Sequence, residues 1–316
     1  PNKYKPGEMV ATRSAFGNAL VKLGKNKDVV CVDGDVKNST KTEQFFKKFP
    51  KRSFESFIAE QNMLGMTMGL AASGLCAFTS TFAAFLARAH DYIRMAIYSG
   101  SNIKICGSHA GISIGEDGAS QMGLEDISMF LSVPDSLILY PSDAVSAEHC
   151  VKEMARHKGI SYLRTTRAKT PVIYDNDEKF PIGGLKVVKQ SKRDCVLVIG
   201  AGITLHEAIK AHDKLSKKRV KIRVIDLYSV QPIDARSLRR HAEECRDRVV
   251  IVEDHYFGGI GSVVRTALGN TEARIEHLYV KDIPRSGKPD QLLKKYKIDS
   301  SAIIRAVKKL KKSRRG

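Results

Sequence analysis

The alternation of short apolar runs with longer helical patterns is the feature that most restricts how this chain can fold. Runs rich in β-branched residues recur through most of the 316 residues, and stretches with helical spacing of apolar positions separate them. This alternation is typical of a parallel sheet covered by helices. With 42% hydrophobic residues, the chain can bury two cores. The pattern therefore predicts an α/β protein of two domains, each a mostly parallel sheet flanked by helices.

A polar, proline-containing stretch, KTPVIYDNDEKFPIGG, interrupts this alternation and predicts an interdomain connection. We therefore predict an N-terminal extension at 1–9, domains at 10–168 and 187–312, a linker at 169–186 and a basic tail at 313–316. Predicted strands are 29–32, 56–59, 75–79, 103–106, 136–140, 160–163, 195–199, 222–226, 249–252 and 275–280. Predicted helices are 11–23, 61–72, 82–98, 144–156, 205–215, 234–243 and 261–268.

Composition narrows the class of protein. The net charge is +19, but lysine and arginine are scattered over both halves and cluster only in VKKLKKSRRG, without a recognition-helix, zinc-finger or RNP pattern. This favours a surface that attracts sugar phosphates over one that binds nucleic acid. The six cysteines form no CxxC pair, so buried free thiols are expected. No apolar run could cross a membrane and PNKYKPGEMVATR lacks a secretory pattern, so we expect a cytoplasmic protein.

Polar motifs follow several predicted strands. DGDVKNS follows the first strand, Glu60 follows FIA, a glycine-rich segment follows IKIC, and RTTR follows ISYL. Ligands of open parallel sheets gather beyond the carboxyl ends of the strands. These four segments are therefore predicted to converge on one ligand site.

Glu60 stands where an apolar strand is predicted to turn into an apolar helix. A lone glutamate there is more often a helix N-terminal charge, stabilised by the helix dipole. A buried carboxyl can instead stay protonated and donate a hydrogen bond. Phe82 and Phe85 would share one helical face, either as plain core packing or as a stacking surface for a flat heteroaromatic ring.

The glycine loop, GSHAGISIGEDGASQMGLED at residues 107–126, is the most distinctive stretch. It combines His109, Glu116, Asp117 and Gln121 with five glycines. A plain surface loop is possible for such a composition, but long polar loops at strand ends more often carry sites. Arg13 and Arg167 could each offer a fork of donors to a phosphate, and Ser39 could add a hydroxyl, although an exposed arginine is by default a solvated charge.

Two motifs of the second half carry weaker signals. VIGAGITLHEA has Leu205 where the GxGxxG motif of dinucleotide-binding proteins requires its last glycine. VEDHYFGGIGS brings together Glu253, Asp254 and His255, but neighbouring residues at a strand end point to different faces. We therefore predict no metal site in this chain and expect the second motif to form a domain or subunit contact.

At this point the chain closely resembles the transketolase family. DGDVKNST, FIAEQNM, STFAAF, GSHAGISIGEDGASQM and IVEDHYFGGIG stand in the family's order, and the resemblance runs from Val10 to Asp299. Animal-type members are the most similar, because plant and yeast types carry a histidine at the position of Gln121. The resemblance implies a pyrimidine-binding domain followed by the family's C-terminal domain, and transfer of a two-carbon ketol unit between sugar phosphates in the pentose phosphate pathway.

The resemblance also implies roles for individual residues. Glu60 and His109 would be catalytic, with Glu60 contacting the aminopyrimidine ring of thiamine diphosphate. The further cofactor contacts implied are Phe82, Phe85, Gln121 and Asp35, and the sugar-phosphate contacts are Arg13, Ser39, His109, Asp117 and Arg167. The family's diphosphate-binding domain, whose GDG motif and asparagine hold Mg²⁺ or Ca²⁺, has no counterpart here. We therefore expect the chain to need that domain from another chain or segment, to be inactive alone, and to form a homodimer or heterotetramer.

Two alternatives remain from the sequence. Beta subunits of 2-oxoacid dehydrogenases and deoxyxylulose-phosphate synthase share the two-domain layout and the glutamate, but not SIGEDGASQM or PRSGKP. A non-catalytic, transketolase-like interaction protein would fit the absent domain and the basic tail, but it would have no need of Glu60.

Overall fold

The computed structural model describes residues 3–269 and 271–312. The predicted basic tail at 313–316 lies outside this part of the chain. The strands are β1 (Met9–Ala11), β2 (Val29–Asp33), β3 (Ser53–Glu55), β4 (Cys76–Phe82), β5 (Ile103–Ser108), β6 (Leu137–Leu139), β7 (Ser161–Arg164), β8 (Lys169–Pro171), β9 (Lys186–Lys189), β10 (Leu197–Gly200), β11 (Arg223–Asp226), β12 (Ser229–Gln231), β13 (Arg248–Val252) and β14 (Arg274–Leu278).

The helices connect and cover these strands. They are α1 (Thr12–Leu23), α2 (Lys37–Thr40), α3 (Glu43–Lys48), α4 (Glu60–Ala72), α5 (His90–Tyr98), α6 (Asp126–Leu131), α7 (Ala144–Arg156), α8 (Ile203–Ser216), α9 (Ala235–Glu244), α10 (Ile260–Leu268), α11 (Pro289–Lys295) and α12 (Ser300–Lys312). Short 3-10 turns lie at Pro50–Arg52, Ala84–Ala89, Ile112–Ile114 and Ala119–Gln121. None of the described helices is long and apolar enough to span a bilayer.

Two mostly parallel sheets confirm the predicted α/β class. The first has the strand order β12-β6-β7-β5-β4-β2-β3, and only β12 runs antiparallel to its neighbour. The second has the order β14-β13-β10-β11-β9, with β9 antiparallel. Every residue of β2 is buried, as expected for an apolar strand covered on both faces.

The two halves share structure. β12 comes from the second half of the sequence but pairs with β6 of the first sheet. One buried cluster joins Ile93 and Ile105 of the first half to Ile199 and Ile225 of the second, and another joins Ile112 of the glycine loop to β10 and α8. The halves are therefore packed through a continuous apolar interface.

Two local predictions are wrong, and one predicted segment contains a strand that was not expected. The predicted strand 56–59 is a loop after β3, because Phe57 has a positive φ of 55° and is 68% exposed. The predicted helix 82–98 begins later, because Phe82 pairs with Ser108 as the last residue of β4; a 3-10 turn and α5 follow. The predicted linker contains β8, which pairs antiparallel with β1.

Candidate active site

Polar residues meet at the carboxyl ends of the parallel strands of the first sheet. Asp33 ends β2, His109 follows β5, and Arg167 lies three residues beyond β7. The first turn of α1 adds Arg13. Three of the four predicted segments, DGDVKNS, the glycine loop and RTTR, are thus connected by contacts at one rim.

Arg13, Ser39, His109, Asp117 and Arg167 form a basic cluster at this rim. Arg13 Nη1 donates to the main-chain oxygen of Ser39 at 2.8 Å, so the contact uses the carbonyl of Ser39. The same nitrogen lies 3.4 Å from His109 Nε2. Burial, followed by the charge of Arg167, lowers the pKa of Arg13, while Asp117 opposes this shift. The two arginines are therefore close enough to feel each other's charge, as expected for groups that would grip one anion.

His109 is held as a neutral ring. It is buried, and its imidazole stacks on Phe82 with ring centroids 3.9 Å apart. Because Arg13 only donates, Nε2 is the acceptor, and Nδ1–H donates to Ser108 Oγ at 2.8 Å. Burial and the positive charges of Arg13, Arg167 and Lys41 lower the pKa of His109 to about 3. The ring can therefore exchange hydrogen bonds with a hydroxyl but carries no charge at neutral pH.

Arg167 is tied to the glycine loop at two points. Its Nη1 donates to Asp117 Oδ1 at 2.7 Å and to the carbonyl oxygen of Ile114 at 3.2 Å. The Arg167 side chain remains 40% exposed, so part of the guanidinium faces outward and is open to a ligand. Asp117 thus orients the Arg167 guanidinium at the exposed edge of the rim.

Asp33 fixes the loop that carries Ser39. Its carboxylate accepts hydrogen bonds from Thr40 Oγ1 at 2.7 Å, Thr42 Oγ1 at 2.6 Å and the Val36 amide at 2.8 Å. Burial raises the pKa of Asp33 to about 6, and these hydrogen bonds oppose the shift. Sequence reasoning did not select Asp33, although its position at the end of β2 within DGDVKNS was a usable signal.

Glu60 and the aromatic pair lie on adjoining elements. Glu60 begins α4 and is buried, and its Oε2 lies 3.4 Å from Nη1 of Arg88. Arg88 follows Phe85 by three residues on the 3-10 turn at Ala84–Ala89, and side chains at that spacing are aligned in a 3-10 helix. Phe85 stacks on Phe82 with centroids 5.0 Å apart, so Phe82 lies between Phe85 and His109. Arg88 was not singled out from the sequence, because an arginine in a helical pattern usually faces solvent.

Two predicted site residues stand apart from these contacts. Asp35 is exposed with a positive φ of 63°, and its amide donates to Glu55 Oε1 at 2.8 Å. Gln121 is half-buried at the end of a 3-10 turn. Among the described residues, neither side chain forms a hydrogen bond or ion pair with another predicted site residue. No group of three or more His, Cys, Asp or Glu side chains within 3–269 and 271–312 is arranged to hold a metal ion.

The rim combines three chemical capacities. Arg13 and Arg167 offer charged donors for an anion, His109 offers a neutral ring for a hydroxyl, and Glu60 offers a carboxyl beside an aromatic pair. The fold is that of a two-domain α/β protein, and the rim at the strand ends of its first sheet is its candidate ligand site. The family models for "Transketolase, pyrimidine binding domain" and "Transketolase, C-terminal domain" match residues 8–172 and 185–303. The chain therefore belongs to the transketolase family.

Similar proteins include animal transketolases and transketolase-like proteins. The chain is 50% identical to mouse transketolase over 314 residues, which cover 98% of this chain and 50% of the mouse protein. It is 49% identical over 314 residues to bovine transketolase-like protein 1, covering 98% of this chain and 53% of that protein. The chain thus spans about half the length of the curated relatives that it matches.

Two solved structures illustrate the structural likeness. One, described as "Split gene transketolase, inactive beta4 tetramer", superposes with a TM-score of 0.87 at 35% identity, covering 98% of this chain and 100% of that chain. Transketolase from Campylobacter jejuni superposes with a TM-score of 0.84 at 19% identity, covering 96% of this chain and 47% of that one. The second likeness concerns the fold alone.

Proposed function

We propose that this chain supplies the pyrimidine and substrate side of a thiamine-diphosphate-dependent transketolase site, which transfers a two-carbon ketol unit from a ketose phosphate to an aldose phosphate. The observation that carries this proposal is the meeting of two arginines with a neutral His109 at one rim. The buried Glu60 begins a helix that packs on the turn carrying Phe85, and Phe85 stacks on Phe82, which in turn stacks on His109. A non-catalytic member of the fold would have no use for this combination. The 50% identity to mouse transketolase also favours ketol transfer over the chemistry of a 2-oxoacid dehydrogenase or of deoxyxylulose-phosphate synthase.

The residues present fit an aminopyrimidine ring. A flat heteroaromatic ring needs an aromatic or apolar face and a hydrogen-bonding partner for its ring nitrogen. Phe82 and Phe85 lie nearly parallel, at an interplanar angle of 9°, and Glu60 lies on the neighbouring helix. The face of Phe85 turned away from Phe82 and the Glu60 carboxyl would hold the ring, and Phe82 would support Phe85 from behind. Gln121 and Asp35 are further candidates. Bound thiamine diphosphate would supply the nucleophilic carbon needed to break and form the carbon–carbon bond.

The chain's own residues would then orient the substrate and move protons. The Glu60 carboxyl would hydrogen-bond the ring nitrogen of the aminopyrimidine and exchange a proton with it. His109, uncharged and fixed by Ser108, would exchange a hydrogen bond with a substrate hydroxyl, and Asp117 would accept from another. Arg13 and Arg167 would bind the phosphate, placing the sugar carbonyl at the reacting end of the site.

The proposal includes a second half of the site. A diphosphate-binding domain holding Mg²⁺ or Ca²⁺, from another chain or from a further segment, would complete it in a homodimer or heterotetramer. Exposed apolar side chains on the loop before α4 and on α5 support such a partner; they are Phe57, Ile58, Tyr92, Met95 and Tyr98. The similarity to the split-gene protein, whose description names an inactive tetramer, supports the expectation that this chain alone is inactive.

Reconstitution tests the proposal directly. The chain would be mixed with the purified diphosphate-binding half of an animal transketolase, thiamine diphosphate and Mg²⁺, and ketol transfer from xylulose 5-phosphate to ribose 5-phosphate would be followed. We expect activity in the mixture and none in either part alone. A mixture that forms a stable complex, binds the cofactor and still transfers no ketol group would contradict the proposal.

A further inference from the structure

The glycine loop of the first half is held by a carboxylate from the second half. Asp254, two residues beyond β13, is fully buried. Its Oδ1 accepts the amide of Ile112 at 2.7 Å, and its Oδ2 accepts the amide of Ser113 at 3.2 Å. These amides open the 3-10 turn at Ile112–Ile114, where amides lack partners within the turn. Asp254 therefore caps this turn from the other half of the molecule.

Glycine at position 111 makes this contact possible. Gly111 has a φ of +82°, and a Cβ atom built on it would lie 2.1 Å from Asp254 Oδ2. A larger residue would therefore both strain the backbone and displace the carboxylate. The carboxylate and the loop thus meet at a distance that only glycine permits.

Asp254 is itself fixed by a buried ionic group. Arg164 Nη2 donates to the main-chain oxygen of Asp254 at 2.9 Å, and Arg164 also pairs with Asp126 at 2.7 Å. His255 Nε2 lies 3.5 Å from Asp126 Oδ1, and the amide of Tyr256 donates to the Leu124 oxygen at 3.1 Å. The end of β13 is thereby held rigidly against the first half.

The capped turn separates two parts of the basic cluster. His109 lies three residues before the turn. Arg167 is held on the other side, by the carbonyl of Ile114 at the end of the turn and by Asp117 three residues beyond it. If the turn moved, the contacts of Arg13 with His109 and of Arg167 with Ile114 would shift together. Displacements of about an ångström are enough to weaken binding at such sites.

We propose that Asp254 is a positioning residue through which the C-terminal domain sets the affinity of the basic cluster for the substrate phosphate. This inference rests on the proposed function. The VEDHYFGGIG motif, which contains Asp254 and does not itself lie at the rim, would thereby position residues of the rim. Substrate affinity should then depend on the contact between the two halves.

Asp254→Asn tests this role, with Asp226→Asn as the matched control. The amide keeps the shape of the side chain but offers one acceptor oxygen instead of two. Asp226 is equally buried and accepts from Ser142 and Tyr174, but it does not contact the glycine loop. Amide hydrogen exchange in 107–118 of the full chain, and titration with ribose 5-phosphate, would be measured for both variants.

For Asp254→Asn we expect the amide exchange rates of Ile112 and Ser113 to rise by about 10-fold or more. The Kd for ribose 5-phosphate should rise by a similar factor. A change of this size corresponds to the loss of roughly one charged hydrogen bond. Asp226→Asn should leave both at the wild-type values. If Asp254→Asn fails to fold, Gly111→Ala breaks the same contact while leaving the buried charges in place, and should weaken binding similarly.

Two failures are distinguishable. Faster exchange in a variant that binds ribose 5-phosphate with wild-type affinity would overturn the positioning role alone, as would unchanged exchange at Ile112 and Ser113. If the wild-type chain bound ribose 5-phosphate neither alone nor after reconstitution, both the proposed function and the positioning role would be contradicted.

Discussion

Glu60 can serve either as a helix N-terminal charge or as a catalytic acid, and the variant Glu60→Gln separates the two roles. Its ion pair partner Arg88 is 57% exposed, and pairs of that kind contribute at most about 1 kcal/mol. Glu60→Gln keeps the shape of the side chain, so the free energy of unfolding should change by less than about 1 kcal/mol. The amide N–H is a much poorer acid and cannot pass a proton to the ring nitrogen.

In the reconstituted enzyme we expect Glu60→Gln to reduce ketol transfer and hydrogen exchange at C2 of the cofactor together, by roughly 10²–10⁴-fold. Arg167→Ala is the contrasting variant. It should weaken sugar-phosphate binding and leave C2 exchange intact, because it removes a phosphate donor only. Wild-type C2 exchange in Glu60→Gln would rule out the role given to this residue.

His109 gives a prediction of pH dependence. Its pKa is about 3 in the folded chain, because burial and three neighbouring positive charges disfavour the imidazolium. The ordinary value is about 6.5, so below that pH the unfolded chain binds a proton that the folded chain rejects. The stability contributed by the neutral ring is thus present above pH 6.5 and is lost as the pH falls towards 3.

The free energy of unfolding of the wild type should therefore fall more than that of His109→Gln between pH 7 and pH 5, by up to about 2 kcal/mol. Denaturant titrations of both proteins at the two pH values measure this difference. Parallel pH dependence in the two proteins would show that the ring is protonated in the folded state.

At the scale of elements, helix boundaries were predictable where a local cap fixes them. Helix 144–156 is confirmed at both ends, and its first turn is set by Asp143, whose side chain and that of Ser146 form a capping box. The aromatic segment after β4 carried no such signal. Phe82 belongs to the strand because it pairs with Ser108, a contact 26 residues away that no local pattern reveals.

The candidate site, like the helix boundaries, was predictable only where local sequence or sheet topology determines it. Strand ends predicted that His109 and Arg167 lie at one rim, because the topology of a parallel sheet fixes that rim, whereas Arg13 reaches it from α1. The pairing of Asp117 with Arg167 depends on the path of the glycine loop, which is set by contacts with Asp254 and with Ser286 near Gly118. Contacts between distant segments of this kind are not encoded in residue spacing.

Asp143 provides a stability prediction at this scale. It caps α7 and also accepts the amides of Ile173 at 2.9 Å and Tyr174 at 3.1 Å, so it joins the helix to the connection after β8. Asp143→Ala should cost about 2–4 kcal/mol, because it removes one helix cap and leaves two half-buried amides without this partner. Asp234→Ala is the matched control, because Asp234 caps α9 through Ser237 alone, and about 1 kcal/mol is expected. Equal losses in urea titrations would show that the interdomain amides contribute nothing.

At the scale of the whole molecule, apolar side chains remain exposed around the entrance to α4. Phe57 and Ile58 are 68% and 71% exposed, although they are part of the apolar run that predicted a buried strand. Tyr92, Met95 and Tyr98 add an exposed side of α5, which packs against α4 with Tyr92 close to Gly65. Exposed apolar groups gathered beside a site are typical of surfaces that another subunit covers.

We therefore expect the wild type to assemble beyond one chain, and Ile58→Asp to weaken that assembly. An unpaired carboxylate buried in an apolar interface costs several kcal/mol, so the dissociation constant should rise at least about 100-fold. Ile283→Asp is the matched control, because Ile283 is 79% exposed but belongs to the segment between β14 and α11. Light scattering over a dilution series would measure both variants, with unfolding curves to show that each remains folded. A monomeric wild type would contradict the proposed assembly, and loss of assembly in Ile283→Asp but not in Ile58→Asp would place the subunit interface away from the loop before α4.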